Sequence, residues 1–158
     1  MSVTWEEIAT AKRQERQNAI PEAWLLAEAS APPPEQKDVL DVPRACGLLT
    51  ARELKITETV DIPALLRKLA SGEWSSVDVT TAYYKRAVVA QQLVNCLTEI
   101  FVERALKRAK ELDEHLKATG KPVGPLHGLP VSLKDQFSIE RLDTTMGKPL
   151  SKPSFQWY

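Results

Sequence analysis

Gly124-Pro-Leu-His-Gly-Leu-Pro-Val-Ser-Leu-Lys-Asp135 is the stretch on which the reading of this chain turns. A Gly/Pro-rich turn feeds a short apolar run, Leu129 to Leu133, that ends in a single lysine, Lys134. The run reads as a β-strand with the lysine at its carboxyl end. In open α/β sheets, ligands sit off the carboxyl ends of strands. Partial burial there disfavours the ammonium form, and a neutral lysine is a good proton acceptor. A strand-end lysine paired with Asp135 or with solvent is the plain alternative, and these residues alone leave it open.

The segment before the turn reads as a strong helix. Val102, Ala105, Leu106, Ala109, Leu112 and Leu116 share one face, only Asp113 interrupts the stripe, and Gly120 supplies the stop. Leu97 to Phe101 is β-branched and aromatic enough for a short strand. Strand, helix, strand in succession is a βαβ unit, so the class is α/β with a parallel pair and a right-handed crossover. Further upstream, Ser75 or Ser76 caps a long helix whose apolar positions are Val79, Ala82, Tyr83, Ala87, Ala90, Leu93 and Val94. Asp61 caps a helix from Ile62 to Ala70, with Pro63 in its first turn and Gly72 at its stop.

The region from Val42 to Leu54 reads mostly as loop around Pro43 and Gly47. Ala31-Pro-Pro-Pro34 reads as a stiff solvated connector, with a signalling ligand as the competing interpretation. Thr4 and Glu7 have capping-box spacing, so a helix starts there. Its apolar face is thin and its docking weak. Pro21 ends it, and Glu22 to Glu28 reads as a second short helix carrying Trp24 and Leu25.

The 158 residues suffice for one domain with a core. Twenty-one acidic and 21 basic residues cancel, which argues against nucleic acid or an anionic membrane as partner. No apolar run approaches a membrane span, and the polar, acidic N-terminus does not resemble a secretory signal. Cys46 and Cys96 form no CxxC pair, so two buried free thiols in a reducing, cytoplasmic setting are expected, with no metal site.

Other side chains near Lys134 invite chemical readings. Ser132 lies two residues before it, on the same strand face, which suggests a Ser–Lys dyad that the strand geometry does not enforce. His127 in the turn could act as a general base, or hold the turn through a backbone carbonyl. His115, near a helix end, suits a cation. Thr144-Thr-Met-Gly147 is a polar turn whose hydroxyls could line a pocket.

Together, Gly124 to Phe137 and Leu142-Asp-Thr-Thr-Met-Gly147 resemble the N-terminal half of the amidase signature family, and more closely its fungal acetamidase-type branch. The resemblance extends upstream through Val94-Asn-Cys-Leu-Thr-Glu-Ile-Phe101, Ser75–Asn95, Leu48–Glu58, Ile20-Pro21 and Trp5–Ile8. It implies N-terminal helices followed by the first βαβ portion of a mixed sheet. It divides the chain into an N-terminal helical segment (1–30), a Pro-rich linker and loop (31–47), the start of an amidase domain (48–147) and a divergent tail (148–158). It also implies an activity: hydrolysis of a small-molecule amide to carboxylate and ammonia, without metal or organic cofactor.

In that family a serine attacks the carbonyl, a second serine in a cis peptide relays the proton, and a neutral lysine accepts it. Lys134 matches the lysine. The serines belong to a Gly-Gly-Ser-Ser-Gly-Gly type of segment, and Ser138, Ser151 and Ser154 lack that glycine frame. The expectation is a truncated chain, inactive alone and incomplete as a sheet. A decoy or binding fragment of a full-length amidase, and a pseudogene product, remain as alternatives. The resemblance also admits a homo-oligomer.

Overall fold

A computed structural model describes residues 3–33 and 35–142. The Thr144–Gly147 turn, Ser151, Ser154 and the divergent tail lie outside the described residues. Six α-helices are described: α1 (Trp5–Asn18), α2 (Val42–Ala45), α3 (Ala51–Thr57), α4 (Ile62–Ala70), α5 (Ser76–Val94) and α6 (Val102–Thr119). The described residues divide into two units, one of residues 3–20, 97–100 and 131–142, the other of residues 21–33, 35–96 and 101–130.

The second unit is built around α5. Its N-terminus is set by Ser75, whose hydroxyl accepts from the Asp78 amide, and its end by Asn95 in the left-handed region. α5 packs against both α3 and α6. Burial therefore wraps around it: Ser76, Val79, Thr80, Ala82, Val88, Val89 and Gln91 are all buried. The sequence pattern implies one buried face that includes Val94, which is in fact exposed. A helix with neighbours on two sides does not show a single stripe.

One core cluster joins Ile56, Leu65, Leu69, Trp74, Val79 and Ala82, with Tyr83 and Leu129 against it. A second joins Val42, Leu49 and Val89. Between α3 and α5, the Lys85 ammonium lies 2.7 Å from Glu53, whose carboxylate also caps the Thr50 amide. Burial alone would raise the Glu53 carboxyl, but hydrogen bonds from Lys85 and Thr50 outweigh it and hold the group below its ordinary value.

Several local starts and stops fall where the residues place them. Asp61 caps α4, Pro63 sits in its first turn, and Gly120 takes the left-handed position after α6. Two segments differ from expectation. Val42 to Leu54 is not mostly loop, because α2 and a capping box of Thr50 and Glu53 opening α3 lie in it. Glu22 to Glu28 is not one helix; two single 3-10 turns, Glu22–Trp24 and Glu28–Ser30, stand there.

In the first unit, α1 carries the expected Thr4–Glu7 capping box and no buried residue. Its Arg16 donates to the Leu97 carbonyl at 2.8 Å, and its Lys12 pairs with Glu99 at 3.1 Å.

The expected βαβ unit is not formed among the described residues, which contain no strand. At Leu97–Phe101 the backbone is engaged otherwise. The Leu97 carbonyl is taken by Arg16, and Phe101 is the N-cap of α6. At Leu129–Leu133 the Leu129 amide closes the preceding turn onto Leu126, and Pro130 has no amide to donate. Both segments are irregular and unladdered. A strand is defined by a partner that accepts its hydrogen bonds.

Cys46 and Cys96 are both free, but neither is buried as expected: Cys46 is half-buried and Cys96 exposed. Among the described residues no helix is long and apolar enough to cross a membrane.

Candidate active-site segment

The segment that delivers Lys134 begins with a compact turn. The His127 amide donates to the Gly124 carbonyl at 3.1 Å, and the Leu129 amide to the Leu126 carbonyl at 3.1 Å. Gly128 has φ +73, and a Cβ built on it would lie 2.5 Å from Ser76 Oγ and 2.9 Å from Leu69 Cδ2. Both the backbone angle and the contact demand glycine there. Leu129 completes the docking by packing on the core cluster of α4 and α5.

His127 is only 4% exposed. The Val123 amide donates to its Nδ1 at 3.2 Å. A ring nitrogen that accepts carries no proton, so the neutral ring holds its hydrogen on Nε2. That Nε2 is buried without a partner among the described residues, and so is Ser76 Oγ. Burial holds the imidazole below its ordinary value; Asp113 opposes this, while His115 and Arg108 act in the same direction as burial. His127 therefore braces the turn through its ring nitrogen, not by donating to a carbonyl.

Asp113, which interrupts the apolar stripe of α6, has a defined role. Its carboxylate accepts from the Ser76 amide at 2.6 Å and the Val77 amide at 3.0 Å. These are orphan donors of the first turn of α5, where an anion also meets the positive end of the helix dipole. The sequence shows Asp113 as an anomaly on its own face; nothing local points to donors on another helix.

Beyond Pro130, Val131, Ser132, Leu133 and Lys134 are all exposed. The partial burial expected for Lys134 is absent among the described residues. No hydrogen bond joins it to Ser132. Its carbonyl accepts from the Phe137 amide at 3.0 Å, which turns the chain after the lysine. Ser138 is exposed as well, and His115 lies on exposed α6 surface apart from the Val123–Leu129 turn hydrogen bonds.

The family profile that matches residues 78–156 is that of the amidases. This chain belongs to the amidase family. Among its relatives, the acetamidase of Emericella nidulans is 46% identical over 93% of this chain and 26% of its own length. An amidase of Gibberella moniliformis is 45% identical over 92% of this chain and 28% of its own. A solved fatty acid amide hydrolase superposes with a TM-score of 0.74 at 38% identity, over 83% of this chain and 23% of that one. The amidase-family chain thus spans about a quarter of the length of the curated relatives it matches. The likeness to fatty acid amide hydrolase is compatible with an α/β class, although the described residues are helical.

Proposed function

We propose that the chain contributes the lysine end of an amidase active site, in which Lys134 is the proton acceptor for hydrolysis of a small-molecule amide. Its place at the end of the Gly124–Asp135 string carries the reading, and membership of the amidase family supports it. Lysine accepts a proton only when neutral, and a fully solvated ammonium is a poor base at neutral pH. Besides the lysine, the reaction needs two serines and a cradle of backbone amides for the oxyanion. The 158 residues hold no glycine-framed serine pair. Loss of a nucleophile removes most of the rate even when its base remains, so these residues by themselves are expected to release no ammonia from acetamide or benzamide. Residues 48–147 are the portion assigned to the amidase domain.

The test has two arms. The 158-residue chain is assayed for ammonia, and turnover lost in Lys134→Ala would show that the serine pair is dispensable. The transcript is also read beyond the codon for Gly147. A product carrying these residues together with a glycine-framed Ser-Ser segment should hydrolyse the amide and lose activity in Lys134→Ala. Undiminished activity in that variant would remove Lys134 from the mechanism.

A further inference from the structure

We propose that the Val123–Leu129 turn is a pH-gated latch, docked while the His127 ring is neutral and opened by uptake of one proton on that ring. The geometry carries this. Nδ1 is the acceptor for the Val123 amide. A protonated ring has two N–H donors and no acceptor. Protonation therefore replaces the Val123 hydrogen bond by two donors facing each other. It also leaves a cation 4% exposed, with Nε2 still lacking a partner among the described residues. Among the described residues, the charged groups that act on the ring come from α6. Asp113 favours the cation, whereas Arg108 and His115 disfavour it. Asp113 is already engaged by the Ser76 and Val77 amides, so it is held toward α5 rather than free to follow the ring.

The turn is a short segment that rests on the core at few points. Its other attachments are Gly128 against Ser76 and Leu69, and Leu129 against the core. Leu126 and Val123 are exposed. Opening needs only this short segment to lift, not the separation of α5 from α6. The latch is independent of whether Lys134 serves as a base.

Amide hydrogen exchange of the full chain between pH 8 and pH 5 tests it, with rates corrected for the intrinsic pH dependence. Uptake of one proton on opening makes the opening constant rise by up to about tenfold per pH unit below ~6.5. Protection of the Val123 and Leu129 amides should fall accordingly, while the Val88 and Val89 amides of α5 hold theirs. His127→Asn keeps an acceptor for the Val123 amide and does not titrate, so its turn should exchange independently of pH. Ring nitrogen shifts of the unmodified chain read the same event without a variant. They should show the Nε2–H tautomer at pH 8 and titrate below ~6.5, the ordinary histidine value. A Nδ1–H tautomer would overturn the proposal. So would a turn that stays protected after the ring has titrated, or loss of α5 protection in step with the turn.

Discussion

Asp113 is the side chain whose replacement separates the structural reading from the pattern in the sequence. In Asp113→Leu the apolar stripe of α6 becomes continuous, and pattern alone predicts a more stable helix. The structure predicts the reverse, because the carboxylate accepts from the Ser76 and Val77 amides at 2.6 and 3.0 Å. A hydrogen bond to a charged group contributes about 1.5–3 kcal/mol. The two bonds share one half-buried carboxylate and do not add in full. An anion at a helix N-terminus contributes about 0.3–2 kcal/mol more. Ser76 is 1% exposed, so water does not readily replace the lost acceptor. Asp113→Leu and Asp113→Ala should each lose about 3 kcal/mol in total. Asp113→Asn keeps one acceptor oxygen without the charge and should lose about half that. With a urea slope of about 1.5 kcal/mol per molar, the midpoint followed by helical ellipticity should fall by about 2 M for Leu and Ala, and about 1 M for Asn. An Asp113→Leu chain as stable as the unaltered one would refute the role given to this carboxylate.

Gly128→Ala should destabilise the chain by about 2–4 kcal/mol, since it combines a left-handed backbone with a clash against Ser76 and Leu69; an unchanged thermal midpoint would contradict the docked turn. Lys85→Met leaves the Glu53 carboxylate, at 14% exposure, without its cation, and should lose about 1 kcal/mol at pH 7 after allowance for partial solvent screening. The sign with pH follows from the lowered Glu53 value. Stability from the pair is complete above ~4.3, the ordinary glutamate value, and is lost as pH falls through the lower folded value. Urea midpoints of the two chains should therefore differ at pH 7 and converge under strong acid. A gap that persists there would mean that packing of the Lys85 stem, not its charge, matters.

What could be read beforehand was local. Thr4 with Glu7, Asp61, Ser75 and Gly120 act within one turn of chain, and each caps the helix expected of it. The box of Thr50 and Glu53 is equally local, but it follows Pro43 and Gly47, which by themselves signal loop. The strands were not legible in the same way. β-branched residues at Leu97–Phe101 state a preference, but a ladder needs a partner, and here Arg16 takes the Leu97 carbonyl. The site divides likewise. The motif picks out Lys134, yet its exposure depends on what packs over it. Asp113 stands out on its helix, while the amides it serves lie 37 and 36 residues away.

The bond from Arg16 to Leu97 spans 81 residues, and that span sets an order of assembly. During synthesis α1 emerges early and its anchoring carbonyl much later. A lone helix of 14 residues is marginal in water. Closing 81 residues rather than the 37 between Ser76 and Asp113 costs ~0.7 kcal/mol more in chain entropy. The return is polar, with no buried side chain on α1 to add to it. The pairing of α5 with α6 therefore precedes the docking of α1, although α1 comes before both along the chain.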